Sequence, residues 1–254
     1  MMIEQQVTQF SSPLSLVLLP GLDGTGQLFK WFLDTLPSEV KPIVVSFPGD
    51  KDADYAALEA HVRRFLPQDR PFAILGESFS GPLALRIAGR GYENLVAVIL
   101  VASFIARPVA WVPNFARHIL HPLLFRLPIH AALLRWRLLG RNPPAAMIDD
   151  AVKSLRSVDP RVLAGRTKAA LEVDATEAFV RCPVPILYLG GTGDRLISSQ
   201  TAERMKALRP DIECIMLDAP HFLLQRSPTA AAHAIAGFLG RHYPHATTPG
   251  LTPS

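Results

Sequence analysis

Short apolar runs recur along this 254-residue chain, each followed by a turn and most of them by a stretch of helical spacing. The runs cover 15–19, 42–47, 72–75, 95–103, 185–189 and 212–217, and helical patterns fill 27–36, 53–66, 79–90 and 198–208. Strands that alternate with helices pair in parallel, because a parallel neighbour is reached only by a crossover. The run 95–103, rich in valine and almost unbroken, reads as a strand buried on both faces. The pattern predicts an α/β fold, a mostly parallel sheet flanked by helices. A last helix is expected to open at Ser227-Pro228, with the serine as cap and the proline in the first turn, and to reach about 239.

At 49% hydrophobic residues the chain can bury a large core and is not disordered. Residues 1–9 are polar and show no secretory signal, and the longest apolar run, 95–106, is too short to span a bilayer. Two cysteines make no disulfide framework, and Cys182, just before a strand, reads as a small buried thiol. The expectation is a cytoplasmic protein with no transmembrane segment.

One long segment breaks the alternation. From Leu95 to Ile148 there is no Asp or Glu, yet its second half carries Arg107, Arg117, Arg126, Arg135, Arg137 and Arg141 with His118, His121 and His130. Between these lie Trp111, Phe115, Leu124 and Trp136, at spacings that suit short amphipathic helices broken by Pro113, Pro122 and Pro128. We read 105–180 as a helical cap inserted into a core of 13–104 and 181–241, with an N-terminal segment at 1–12 and a flexible tail at 242–254. The apolar side of the cap suits a hydrophobic acyl group. Its cationic side, with Arg126 and Arg135 as contacts, suits an anionic partner such as an acyl carrier protein, a coenzyme A phosphate or an anionic membrane surface, or else only solvent. Nucleic acid does not fit, since the basic residues alternate with apolar ones rather than with stacking aromatics on a sheet. His118 and His121 have no acidic or thiol companion, so no metal site is expected.

The chemistry centres on Gly76-Glu77-Ser78-Phe79-Ser80-Gly81, at a turn from strand to helix. Such a turn lifts a serine hydroxyl clear of its neighbours at a helix N-terminus, although an ordinary turn with a capping serine has the same composition. The second glycine of Gly-x-Ser-x-Gly is Ser80 here, followed by Gly81. A nucleophilic serine needs a base and a carboxylate to orient that base. Asp194, in the turn after 185–189, and His221, after 212–217, follow Ser78 in the order Ser, acid, His, each beyond the end of a strand. Asp218 is the rival acid, and Asp194 has a plain alternative as a turn aspartate. The loop Pro20-Gly21-Leu22-Asp23-Gly24-Thr25-Gly26 has the wrong glycine order for a dinucleotide site. It suits a main-chain oxyanion donor instead.

Together, Leu19-Pro20-Gly21-Leu22-Asp23-Gly24, the Ser78 turn, Gly190-Gly191-Thr192-Gly193-Asp194 and Asp218-Ala219-Pro220-His221-Phe222 resemble the α/β-hydrolase superfamily. In size and inserted cap the chain is similar to the pimeloyl-acyl-carrier-protein methyl ester carboxylesterase group. The resemblance implies Ser78 as nucleophile, His221 as base and Asp194 as its orienter, with the N–H groups of Leu22 and Phe79 as the oxyanion hole. It also implies Gly21, Asp23, Trp111, Phe115 and Phe222 around the substrate. The implied enzyme is a serine carboxylesterase without metal or organic cofactor, with a thioesterase or lactonase on the same triad, or a non-catalytic binder using the cap, as alternatives.

Overall fold

The computed structural model describes residues 13–50, 54–107 and 135–243. Its strands are β1 (Leu14–Leu19), β2 (Val40–Val44), β3 (Phe72–Glu77), β4 (Leu95–Val101), β5 (Ile186–Gly191) and β6 (Glu213–Leu217). They form one parallel sheet in the order β2-β1-β3-β4-β5-β6. The chain therefore winds from β1 outward to β2, returns on the other side of β1 as β3, and then runs to β6. The winding direction reverses between β1 and β3, where Leu19 lies opposite Gly76. Loops leaving a parallel sheet at such a reversal part to opposite faces and leave a crevice between them.

The helices are α1 (Lys30–Leu33), α2 (Tyr55–Val62), α3 (Gly81–Ala88), α4 (Ala145–Arg156), α5 (Pro160–Glu172), α6 (Thr176–Val180), α7 (Gln200–Leu208), α8 (Leu223–Arg226) and α9 (Pro228–His242). Alternation along the strands divides the core in two. Val17, Leu19, Ile74, Val98, Leu100 and Tyr188 pack on one face with Leu58, Leu83, Ile87, Phe179 and Met205. Leu16, Leu18, Leu75, Ile99, Leu187 and Leu189 pack on the other with Phe32, Ile235, Phe238 and Leu239. Each such side chain contributes about 2 kcal/mol when fully buried, so stability is concentrated in the central strands. The edge strand β2 exposes Lys41 and Pro42. A proline without an N–H to donate is tolerated at an edge, and an exposed lysine discourages further strand pairing.

Several boundaries differ from the sequence pattern. The strand expected over 42–47 is Val40–Val44, although Val45 and Phe47 are buried. Val45 N–H still donates to Leu18 O of β1 at 3.0 Å, whereas Phe47 N–H turns to the neighbouring loop and donates to Gly24 O at 2.7 Å. The helix expected over 79–90 begins as a 3-10 turn, Ser78–Ser80, before α3. Ser227 makes no side-chain capping bond. Helix α9 is entered directly from α8, with Ser227 N–H closing on Leu223 O at 2.9 Å, so the hydroxyl is not turned toward the first helical amides. The break at 157–159 does carry a cap, because Asp159 accepts from Arg161 N–H at 2.8 Å ahead of Pro160. Cys182 is buried. Among the described residues no helix is long and apolar enough to cross a membrane.

Candidate active site

Ser78 follows β3 with φ +49°, a left-handed conformation that a residue bearing a Cβ adopts at a cost of about 1–3 kcal/mol. The surroundings hold it there. Ser78 O accepts from Ser103 Oγ at 2.6 Å, and the Gly81 N–H also closes on it. A Cβ on Gly76 would lie 2.5 Å from Ser80 O, and one on Gly81 would overlap Ser103. The closest packing thus falls on Gly76 and Gly81, which leaves position 80 free to carry a side chain. Ser80 is fully buried and its hydroxyl donates to Pro20 O, tying the Ser78 turn to the loop after β1.

Ser78 Oγ lies 2.9 Å from His221 Nε2, and His221 Nδ1 lies 2.8 Å from Asp194 Oδ2. The imidazole and the carboxylate are almost wholly buried. Asp194 Oδ1 accepts from the N–H groups of Leu196 and Ile197 at 2.7 and 2.9 Å, so both carboxylate oxygens are engaged. An ionised carboxylate only accepts, so it accepts a hydrogen bond from Nδ1–H, which leaves Nε2 to accept from the serine hydroxyl. The turns after β5 and β6 are stitched together by Thr192 N–H to Leu217 O and Gly193 N–H to Ala219 O, at 2.8 and 3.0 Å. A Cβ on Gly191 would overlap Ala219 O. This close approach brings residues 194 and 221 to one point. Asp218 is exposed, and the carboxylate on His221 is that of Asp194.

The other expected residues fall in different settings. A Cβ on Gly21 would sit 4.0 Å from Ser78 Cβ, so this backbone passes directly beside the serine. Leu22 lies in the turn closed by Gly24 N–H to Gly21 O at 3.0 Å, and among the described residues its own N–H has no protein acceptor. The Phe79 ring is buried and stacked on Tyr55, with centroids 4.9 Å apart, and the Tyr55 hydroxyl donates to Phe79 O at 2.8 Å. Burial holds the Tyr55 hydroxyl far above its ordinary pKa. The Asp23 carboxylate is turned inward, where its Oδ2 accepts from Thr25 N–H and from the hydroxyls of Thr25 and Ser154 at 3.0, 2.5 and 2.7 Å. Phe222 packs with Trp31, Leu139, Met147 and Ile148, its ring centroid 6.4 Å from that of His221. The backbone of Arg135 opens a π-helix, Arg135–Leu139. Trp111, Phe115, Arg126, His118 and His121 lie outside the described residues.

Beside these stand Glu77, which its place next to the nucleophile marks in the sequence as a structural or site-lining carboxylate, and several side chains that no motif singles out. Glu77 is buried beside Ser78 and accepts from Gln225 Nε2 at 2.9 Å. Burial pushes its carboxyl up to about 7. Leu138 O accepts from Phe222 N–H at 2.9 Å, and Arg195 Nη1 donates to Trp136 O at 3.0 Å. The π-helix is thereby joined to the segments carrying both His221 and Asp194, a placement common for π-turns at functional sites. Arg166, from α5, reaches the loop after β1. No local motif marks Gln225 or Arg166, because each acts through a partner far away in the chain.

A serine hydroxyl bonded to an imidazole, itself held by a buried carboxylate at the reversal of a parallel sheet, defines a class. The chain belongs to the alpha/beta hydrolase family, whose profile matches residues 16–234. It is 29% identical over 230 residues to a pimeloyl-[acyl-carrier protein] methyl ester esterase of Klebsiella pneumoniae, covering 85% of this chain and 89% of that one. Its fold is similar to that of an esterase from Exiguobacterium antarcticum, with TM-score 0.76 and 14% identity over 90% of this chain and 92% of that one. It is likewise similar to a lipase-esterase related protein from Clostridium acetobutylicum, with TM-score 0.72 and 15% identity over 89% and 95% of the two chains.

Proposed function

We propose that the protein is a carboxylic ester hydrolase working through an acyl-enzyme on Ser78. The observation that carries this is the hydrogen-bond chain Ser78–His221–Asp194, at 2.9 and 2.8 Å, with Ser78 held at φ +49°. His221 Nε2 takes the Ser78 proton as Oγ attacks the ester carbonyl carbon. The developing oxyanion is held by the N–H groups of Leu22 and Phe79, each contributing about 3 kcal/mol to the transition state. The tetrahedral intermediate collapses, the C–O bond breaks, and the departing alcohol takes the proton from His221. Water then enters, gives a proton to His221 and attacks the acyl carbon. Ser78 leaves with that proton and the carboxylic acid is released.

For the substrate we propose an ester with a hydrophobic acyl part, presented on an acyl carrier protein. The acid-free stretch 95–148 supports this reading, as does the Klebsiella relative, whose name specifies a carrier-protein methyl ester. In this reading 105–180 is the cap, Trp111, Phe115 and Phe222 line the acyl side, and Arg126 and Arg135 meet the carrier. Carrier chemistry and the free thiols of Cys182 and Cys214 fit a cytoplasmic setting. The test is a panel of free and carrier-linked methyl esters, p-nitrophenyl esters of rising chain length, thioesters and lactones. The expected result is turnover of esters, fastest on the carrier-linked ones; hydrolysis confined to thioesters or lactones, or binding without turnover, would refute it.

A further inference from the structure

Every carbonyl of the loop from Pro20 to Gly24 accepts a hydrogen bond. Pro20 O takes the Ser80 hydroxyl, Gly21 O the Gly24 N–H and Gly24 O the Phe47 N–H. The remaining two, Leu22 O and Asp23 O, both take Arg166 Nη1, at 3.0 and 2.7 Å. The loop therefore turns its carbonyls into the protein, and among the described residues the Leu22 N–H is left without a protein acceptor.

Arg166 is an unexpected source for that support. It lies in α5, 144 residues from Leu22, and is 2% exposed. Its Nη2 donates to Pro48 O at 3.0 Å, and its guanidinium carbon stands 5.5 Å from the centre of the Phe47 ring. A Cβ on Gly24, whose φ is +69°, would overlap the guanidinium, so the glycine and the arginine fit one another. Burial lowers the Arg166 pKa, and the nearby Asp23 carboxylate only partly offsets this. Its hydrogen bonds run to main-chain carbonyls, which makes it a poor device for stability alone, since a buried cation needs close ionic pairing to recover its desolvation. What the planar fork supplies is geometry. It fixes several acceptors in one plane, which a lysine ammonium, with its single point of charge, does not. Helix α4 adds a second tether, Ser154 Oγ to Asp23 Oδ2.

We infer that Arg166 is a positioning residue for the oxyanion hole: by holding Leu22 O and Asp23 O it fixes the peptides after Leu22, so that the Leu22 N–H faces the reacting carbonyl. The inference rests on the esterase reading above. It makes α4 and α5 a working part of the site. Without the guanidinium, Leu22 O and Asp23 O lose their donor, and the turn is closed only by Gly24 N–H to Gly21 O, which loosens the Leu22 peptides. A misplacement of about 1 Å at a catalytic donor lowers turnover by about 100-fold, close to the loss on deleting such a donor.

The test compares Arg166→Lys and Arg166→Met with wild type on a p-nitrophenyl ester. It follows kcat, KM, melting temperature and the inhibition constant of a trifluoromethyl ketone, whose hemiketal oxyanion occupies the hole. Expected for both variants is a fall in kcat of about 10- to 100-fold, with KM changed less than threefold and the ketone weakened by the same factor as kcat/KM. Should the Met variant not fold, the Lys variant decides, because it keeps the charge and most of the volume. Folded variants with wild-type kcat, or with a lower melting temperature but unchanged ketone affinity at 20 °C, would overturn the inference and leave the esterase reading intact. A wild type inactive on every ester would instead sink the parent reading, and this inference with it.

Discussion

Replacing Glu77 with glutamine should stabilise the protein in alkaline solution and leave it nearly unchanged in acid. Glu77 ends β3 inside the core, and its pKa rises from 4.5 to about 7. Burial is the main cause and the Asp23 carboxylate adds to it, while the Gln225 hydrogen bond and His221 oppose it. Between pH 4.5 and about 7 the native state therefore keeps a proton that the unfolded chain has released. The stability contributed by neutral Glu77 is complete below pH 4.5 and is lost as pH rises through 7. A rise from 4.5 to about 7, at about 1.4 kcal/mol per pH unit, is worth about 3 kcal/mol at pH 8. Glutamine has the same shape, stays neutral, and still accepts from Gln225 Nε2. Its amide also offers a donor to Gln225 Oε1, which has no partner among the described residues. Urea unfolding followed by tryptophan fluorescence at pH 4.5 and pH 8 gives the comparison. Glu77→Gln should match wild type at the lower pH and exceed it by about 2–3 kcal/mol at the higher. An equal difference at both pH values would show that Glu77 does not titrate as burial requires.

Four further substitutions probe the site. Asp194→Asn should lower kcat by about 10⁴-fold by turning the imidazole to the wrong tautomer, whereas Asp218→Asn should stay within twofold of wild type; the reverse order in a steady-state assay would name Asp218 as the acid. Ser80→Gly restores the simple Gly-x-Ser-x-Gly spelling yet should cost about 1–3 kcal/mol in urea unfolding, because buried Pro20 O loses its donor. Gly81→Ala should lower the melting temperature and kcat together, since the added methyl meets Ser103, which itself holds Ser78 O.

The fold was legible because its signal is repetitive. Runs such as 72–75 and 95–103 are apolar on both faces, and only a sheet covered on both sides buries them. Their order in the sheet was not legible, since no local pattern says that β3 returns beside β1. That return is what sets Leu19 against Gly76 and opens the crevice. The pattern also overran at 45–47, because the chain leaves the ladder after Val45, whose N–H still reaches Leu18 O, and Phe47 is buried against the loop after β1. Ser78, Asp194 and His221 could be picked out since each sits in a distinctive turn after an apolar run. Ser154, Arg166 and Gln225 could not, because an arginine on a helix looks the same whether it faces water or three main-chain carbonyls. Position 80 misled for a related reason. A lost glycine is visible in the sequence, but the steric demand falls on Gly81 and the hydroxyl is used on Pro20.

The central claim is an acyl-enzyme on Ser78, and intact-protein mass spectrometry tests it most directly. The protein is mixed with a slowly hydrolysed p-nitrophenyl ester, quenched in acid within the first turnover, and mapped by peptide fragmentation. Expected is a mass increase of one acyl group, located on Ser78, together with a stoichiometric burst of p-nitrophenol, and neither in Ser78→Ala. Turnover without any adduct, or an adduct on another residue that persists in Ser78→Ala, would contradict it.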